Sequence, residues 1–195
     1  MNDFSRRAFI FGGAAAASAV VFATVNKMGA DALADPPDGD VKPLKVTVVE
    51  FGEDGKRLRS IERDKIIKSK DEWKKLLSAD SYQVTRRAAT EAPESGELVH
   101  EHHAGIFRCV CCENALFDSK TKFESGTGWP SFWEAIAKEN VYERLDASLG
   151  QVRREVKCTL CDAHLGHLFS DGPDPTGLRY CMNSVALRFY ERKSA

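Results

Sequence analysis

Hydrophobic and polar residues alternate along the second half of the chain in short runs separated by glycine, aspartate and proline. Alternation with a period of two is typical of β-strands that bury one face. The pattern therefore predicts a mainly β domain, of the β-rich α+β class, with largely antiparallel strands and a few short helices. The strands expected there lie near 106–109, 141–145, 152–157, 165–169 and 185–190.

The preceding part of the chain predicts a β-hairpin and two short helices. Alternating residues on both sides of a Glu-Asp-Gly turn predict the hairpin over 44–61. Ser69 and Glu72 have the spacing of a capping box and stand before apolar residues at helical intervals, which predicts a helix over 70–78. A second short helix is expected over 81–87.

The first 34 residues predict an export signal. Arg6 and Arg7 precede an uncharged, Ala/Gly-rich run over 8–26, and an A-x-A-like cleavage site ends at Ala34. The paired arginines and their neighbours resemble the motif recognised by the twin-arginine (Tat) export machinery, so we expect a periplasmic protein cleaved after Ala34. An uncleaved membrane anchor is the alternative, because a spanning helix needs only about 20 apolar residues. The expected organisation is a signal peptide (1–34), a linker (35–43), a hairpin extension (44–68) and a catalytic domain (69–195).

Length and charge narrow the possible functions. The 195 residues suffice for one well-buried domain and leave no room for a second of full size. Lys plus Arg number 28 against 29 Asp plus Glu, so the chain lacks the excess of positive charge that binding a phosphate backbone requires. We therefore expect no nucleic-acid partner, and we expect the protein to act as a monomer.

Four of the six cysteines have the spacing of a metal site. Cys109 and Cys112 form one C-x-x-C pair, and Cys158 and Cys161 form a second pair 45 residues further along. Two such pairs can give one zinc ion four thiolates, which leaves no open position and makes the zinc structural. Disulfides are the alternative in an exported protein. Cys111, between two of these ligands, is left as a thiol without an assigned role.

The sixth cysteine, Cys181, lies among polar residues that suit catalysis. Arg179 and Asn183 each lie two positions away, so a β-strand would place all three side chains on one face. Positive charge near a thiol lowers its pKa and increases the reactive thiolate fraction. We therefore predict that Cys181 is a nucleophile with His164 and His167 as acid/base partners. The alternative is a small buried residue without chemistry.

Three further histidines, His100, His102 and His103, fall in a polar loop. A second metal site and a solvated loop are both possible. We favour the loop, because no carboxylate or cysteine lies at ligand spacing from them in the sequence.

Several motifs together resemble one enzyme family. GTGWPSF (126–132), CDAHLGHLF (161–169) and RYCMNS (179–184), with the paired C-x-x-C motifs, resemble the methionine-R-sulfoxide reductases, the MsrB family. The resemblance extends over about 65–190. It implies two antiparallel sheets around one core with short peripheral helices. It also implies reduction of the R epimer of methionine sulfoxide, with oxidised methionine residues in proteins as the substrate and the free amino acid as a further candidate.

The resemblance implies a role for each residue around Cys181. Cys181 would attack the sulfoxide sulfur, while His164 and His167 would hold and protonate the oxygen. The other residues with implied roles are Asn183 and Arg179, in support, and Trp129, the wall against which the substrate methyl group packs.

The resemblance breaks down at the step that regenerates the enzyme. Attack would leave a sulfenic acid on Cys181, which needs a thiol for its reduction. Many members of the family have a resolving cysteine where this chain has Thr127. We therefore expect an external small-thiol or thioredoxin-like reductant, with Cys111 as the alternative resolving thiol.

Two other functions compete with the reductase. One is a non-catalytic, zinc-ribbon-like module that binds protein partners. The other is a zinc hydrolase in which His164 or His167 binds the metal, which is disfavoured because four cysteines already fill the zinc shell.

Overall fold

All strand pairs are antiparallel in the residues that the computed structural model describes, 44–150 and 152–192. The strands are β1 (Lys45–Phe51), β2 (Arg57–Asp64), β3 (Gly105–Cys109), β4 (Ala115–Asp118), β5 (Lys122–Phe123), β6 (Ser131–Phe132), β7 (Val141–Asp146), β8 (Arg153–Cys158), β9 (His164–Phe169), β10 (Arg179–Met182) and β11 (Leu187–Glu191). The helices are α1 (Lys70–Leu76) and α2 (Ala79–Arg87), and four short 3₁₀ turns complete the described elements.

Two sheets form the main body, as expected for this mainly β class. One has six strands in the order β5-β6-β10-β9-β8-β7, and the other has three in the order β11-β3-β4. Aromatic rings join the sheets: Phe132 of β6 stacks on Phe117 of β4 at 4.4 Å and meets Phe107 of β3 edge-on at 4.9 Å. All three rings are fully buried. This contact places the core between the sheets and holds β10, the strand of Cys181, against it.

The predicted hairpin forms a separate two-stranded sheet, and its second strand runs on to Asp64. Val48 packs into the hydrophobic core, and the buried side chain of Asn140 ties the hairpin to the main body by hydrogen bonds. The Asn140 side chain accepts a hydrogen bond from Val49 N (2.7 Å) and donates to Val49 O (2.9 Å) and to Ala115 O (2.8 Å). One amide therefore satisfies backbone groups of β1 and β4 that would otherwise be buried without partners.

The two predicted helices are present with slightly different ends. The capping box at α1 is confirmed, with Ser69 N donating to Glu72 at 2.8 Å and Glu72 N donating to Ser69 at 3.3 Å. Helix α1 ends at Leu76 and not at Ser78, because Ser78 has an extended backbone and caps α2. The last predicted strand also begins later, at Leu187, since Ser184–Ala186 form a 3₁₀ turn.

The predicted signal peptide (1–34) and linker (35–43) lie outside the described residues. Within the part of the chain that the structure describes, none of the helices has the length and apolarity needed to cross a membrane.

Candidate active site and metal centre

Cys181 and one histidine lie opposite each other on two neighbouring strands. Cys181 of β10 is paired in register with His167 of β9, and Met182 is paired with Gly166. At Gly166 a side chain could not fit, because a Cβ atom there would lie 2.1 Å from the carbonyl oxygen of Cys181. The missing side chain thus lets the backbone that carries the thiol pack directly against the strand of the two histidines.

Four of the predicted site residues line one small cavity. Cys181, His167, Asn183 and Trp129 surround a volume of about 130 Å³, together with the ring of Phe169. A cavity of this size accepts a small group and not a drug-sized ligand, which typically needs ~300 Å³ or more. Its lining combines two aromatic residues with a thiol and an imidazole, so it can hold an apolar group beside a reacting polar atom.

His164 lies behind the cavity and not in its wall. Its ring meets that of His167 edge-on at 5.4 Å, and His164 lines an adjoining, more polar cavity. The His164 Nε2 atom is buried and has no hydrogen-bond partner among the described residues. Of the two predicted acid/base histidines, the structure therefore brings His167 to the thiol and leaves His164 one step away.

Each histidine is paired with a partly buried carboxylate that the sequence did not indicate. The Nδ1 atom of His164 lies 2.7 Å from Glu155, and the Nε2 atom of His167 lies 2.8 Å from Asp146. Burial is the largest influence on His167 and lowers its pKa, while Asp146 opposes that shift. The carboxylates fix which ring nitrogen remains free, Nε2 on His164 and Nδ1 on His167.

The pKa of Cys181 is raised, chiefly by burial. Arg179 opposes this shift, as does the Thr127 hydroxyl, whose Oγ1 atom lies 3.9 Å from the thiol sulfur. Asp171 works the other way and raises the pKa, although it also holds Arg179 in place through two 2.9 Å hydrogen bonds. Burial therefore disfavours the thiolate of Cys181, while Arg179 and the Thr127 hydroxyl favour it.

Asn183 is held in place by backbone groups and not by the thiol. Its side chain donates to Leu165 O at 3.0 Å and accepts from Glu91 N at 3.0 Å. The backbone carbonyl of Glu91 accepts a hydrogen bond from the Trp129 ring nitrogen at 3.2 Å. The Glu91 carboxylate accepts hydrogen bonds from the backbone N–H groups of Ser184 and Val185, at the start of the 3₁₀ turn after Asn183. Glu91, which sequence analysis did not single out, thus positions two walls of the cavity at once.

The four predicted metal ligands converge at one point. The sulfurs of Cys109 and Cys161 lie 3.7 Å apart, those of Cys112 and Cys158 lie 3.6 Å apart, and all four lie within 4.8 Å of one another. Sulfurs bound to one tetrahedral zinc ion at about 2.3 Å would lie ~3.8 Å apart. A disulfide would require about 2.05 Å, so the arrangement fits a four-thiolate metal site and not two disulfides.

The two cysteine pairs have the same local backbone. Glu113 and Asp162 directly follow the pairs, and both adopt the left-handed conformation, with φ of 62° and 58°. Each donates its backbone N–H to the carbonyl of the first cysteine of its pair, Cys109 or Cys158, at 2.9 Å. This tight turn points both thiols of a pair to one side, as a shared ion requires. Cys111 lies beside this cluster and does not line the cavity of Cys181.

A comparison with protein families identifies the chain. Residues 77–191 match the model of the SelR domain. The chain belongs to the SelR, or MsrB, family. The matched residues include the complete Cys181 cavity and all four clustered cysteines.

The chain matches curated SelR-family relatives over most of their length. The chain is 55% identical over 126 residues to the "Peptide methionine sulfoxide reductase MsrB" of Herminiimonas arsenicoxydans, covering 65% of this chain and 92% of the relative. It is 51% identical to the protein of that name from Hahella chejuensis over 65% of this chain and 91% of that relative. For the one from Pseudomonas putida strain W619, identity is 52% over 67% of this chain and 98% of the relative. The hairpin β1–β2 precedes the residues matched by the SelR model.

Among solved structures, the chain is similar to the Mis18 "Yippee-like" domain. The TM-score is 0.39 at 20% identity, over 47% of this chain and 99% of that one.

The cysteine cluster predicts that substituting two neighbouring cysteines of this SelR-family chain will affect zinc content and stability differently. Cys112→Ser should reduce the zinc content well below one ion per chain and lower the free energy of unfolding by roughly 3 kcal/mol or more, because one metal ligand is lost. Cys111→Ser is the matched control and should keep the zinc, with a stability change of at most ~1 kcal/mol. Elemental analysis and urea unfolding measure both quantities. Equal zinc content in the two variants would contradict the assignment.

The charges around Cys181 predict opposite pKa shifts for the two partners of one ion pair. Arg179→Ala should raise the pKa of Cys181 further, because the cation that opposes its burial is lost. Asp171→Asn should lower that pKa, since a neighbouring negative charge is removed. The rate of Cys181 alkylation against pH, followed by peptide mass spectrometry, reports both. Shifts of the same sign in the two variants would show that disruption of the ion pair, and not charge, dominates.

Proposed function

We propose that this protein reduces the R epimer of methionine sulfoxide in oxidised proteins, with Cys181 as the nucleophile. The observation that carries the proposal is the small cavity in which Cys181 faces His167 beside the rings of Trp129 and Phe169. It has the size, the apolar wall and the acid and nucleophile that a methyl sulfoxide group requires. The curated relatives, named peptide methionine sulfoxide reductases, support the same chemistry.

In the proposed reaction, the Cys181 sulfur attacks the sulfoxide sulfur and the oxygen passes to Cys181. His167 in its protonated form donates a proton to the sulfoxide oxygen, which is otherwise a poor leaving group. The substrate sulfur gains two electrons and becomes methionine, while the thiol loses two and becomes a sulfenic acid. His164, which the sequence predicted to share this role, is paired with Glu155 and meets the His167 ring edge-on, so it would position His167 and not contact the oxygen itself.

Selection of one epimer would follow from the two sides of the cavity. Sulfoxide sulfur is chiral, so only one epimer can place its methyl group against an aromatic wall while its oxygen points to a proton donor. Trp129 would supply that wall, and its ring nitrogen is held by the carbonyl of Glu91. Asn183 and Arg179 would support the site, the first by fixing the turn after β10 and the second by favouring the thiolate.

Regeneration would use an external reductant. Two thiols, from a small molecule or a thioredoxin-like protein, would reduce the Cys181 sulfenic acid to the thiol with release of one disulfide and one water. Thr127 faces Cys181 at 3.9 Å, and its hydroxyl cannot form a disulfide. Cys111 packs beside the four clustered cysteines and away from the cavity lining, which supports an external donor over an internal one.

We also propose that the four cysteines hold one structural zinc ion per chain. Thiolate ligands and a tetrahedral set of sulfurs suit zinc, and a full shell leaves no position for substrate. The ion would therefore stabilise the fold and take no part in the chemistry at Cys181. A zinc hydrolase that uses His164 or His167 as a ligand has no support, because neither histidine belongs to a group of three or more possible metal ligands among the described residues.

The remaining proposals concern location and partners. Arg6 and Arg7, ahead of the Ala/Gly-rich run over 8–26, support export by the Tat machinery and a periplasmic location. We propose a monomer whose partners are oxidised proteins and a thiol donor. A non-catalytic binding module would not account for a partly buried thiol opposite a carboxylate-paired histidine.

The proposed function predicts an epimer-specific, thiol-dependent activity. With excess dithiothreitol, the protein should consume only the R epimer of a methionine sulfoxide peptide, and Cys181→Ser should reduce the rate at least ~100-fold because no other thiol replaces the nucleophile. Chiral chromatography of the remaining sulfoxide measures the rate. Cys111→Ser is the matched control and should stay within a factor of about 2. Consumption of neither epimer by folded, zinc-loaded protein would contradict the proposal.

The contact between Thr127 and Cys181 predicts that one substitution would change how the Cys181 sulfenic acid is reduced. In Thr127→Cys, a thiol replaces the hydroxyl 3.9 Å from the Cys181 sulfur, so one turnover without reductant should leave an internal disulfide between the two positions. The wild-type protein should instead retain a sulfenic acid, which dimedone traps as a mass increment on Cys181. A Cys111–Cys181 disulfide in the wild-type protein would contradict an external donor.

A further inference from the structure

A second cluster of metal-binding groups lies outside the Cys181 cavity and the cysteine cluster. The sequence indicated no carboxylate at ligand spacing from His100 and His102, but the fold brings Glu124 to them from a different loop. One ring nitrogen of each histidine and one carboxylate oxygen of Glu124 all lie within 4.8 Å of one another. The three side chains are 72%, 64% and 55% exposed, so an ion can reach them from solvent.

We propose that His100, His102 and Glu124 form a surface site for a borderline divalent transition metal such as Zn²⁺, Ni²⁺ or Cu²⁺. Three ligand atoms this close together can bind one ion and leave its other positions to water. This proposal does not rest on the proposed reductase function.

The surrounding charges define the class of metal. Lys122 Nζ lies 3.4 Å from the Glu124 carboxylate and donates to Val99 O at 2.6 Å, so a fixed cation neutralises part of the single negative ligand. His100 Nε2 lies 3.2 Å from Glu94, which holds that ring or adds a further carboxylate. Two imidazoles and one weakened carboxylate favour metals that prefer nitrogen ligands over Mg²⁺ or Ca²⁺, which prefer oxygen.

His103 is excluded from the site although it is adjacent in sequence. Its Nδ1 atom lies 2.7 Å from Glu101, which raises the pKa of His103 and holds its ring on a separate carboxylate. It therefore offers an internal control, an exposed imidazole in the same loop that does not belong to the cluster.

The site would connect two loops that border the Cys181 cavity. Glu124 directly precedes Ser125, whose hydroxyl contacts that of Thr127 at 2.8 Å. On the other loop, Glu94 N donates to Gly128 O at 2.8 Å. An ion bound by both loops would cross-link them close to Thr127 and Trp129.

The test is a Ni²⁺ titration of untagged, zinc-loaded protein by calorimetry. We expect one Ni²⁺ per chain in the wild type and in His103→Ala, and at least a 10-fold weaker association in His102→Ala and in Glu124→Gln. These side chains are exposed, so the variants should fold, which their zinc content and circular dichroism verify. Bound Ni²⁺ should also raise the melting temperature of the wild type but not that of His102→Ala.

Two further measurements locate the site and test which class of metal it prefers. Paramagnetic Ni²⁺ should broaden the amide resonances of 98–102 and 122–126 first, and Mg²⁺ at the same concentration should not displace it. The proposal fails if the wild type binds no Ni²⁺, if His103→Ala weakens binding as much as His102→Ala, or if the broadened resonances surround His164 and His167. Equal competition by Mg²⁺ would overturn the proposed class of metal.

Discussion

The convergence of four thiols on one point is the constraint on which the rest of the fold depends. Cys109 ends a strand of the three-stranded sheet, and Cys158 ends a strand of the six-stranded sheet. Packed aromatic rings also join the sheets. Bonds from both sheets to a shared ion would restrict their relative movement more than these ring contacts do. A metal at this junction would fix the spacing of the sheets at one end, and β9 and β10 lie in the larger of them.

The Cys181 cavity balances two opposed effects of burial. Excluding water strengthens every charge interaction inside the cavity, but it also disfavours the thiolate and the imidazolium that the proposed reaction needs. Each unit by which a pKa moves in the wrong direction costs about 1.4 kcal/mol. The surrounding charges offset that cost: Arg179 favours the thiolate, and Asp146 favours a charged His167. In the proposed reaction, Arg179 and Asp146 would therefore contribute through their charge without touching the sulfoxide.

Sequence patterns predicted the parts of this protein that depend on local spacing. The alternating strands, the capping box at Ser69 and the paired C-x-x-C motifs are all local, and their expected structures are present. Strands β5 and β6 have only two residues each, too short for alternation to reveal them. Glu91, Asp146 and Glu155 also escaped prediction. Glu91 reaches Asn183 across 92 positions, and which carboxylate meets which histidine depends on strand register and the folded loops. The Glu124 cluster depends in the same way on two loops that only the fold brings together.

The close contact at Gly166 divides the cavity into a fixed half and an adjustable half. Because backbone packs on backbone there, no side chain lies between the strand of Cys181 and that of the histidines to be enlarged, trimmed or repacked. The other half, with Thr127 and Trp129, is a loop whose backbone accepts hydrogen bonds at Gly128 and Pro130. Its side chains are held only by hydroxyl contacts and one indole hydrogen bond. An engineer who wished to change the accepted sulfoxide would therefore have freedom in that loop and almost none between the strands.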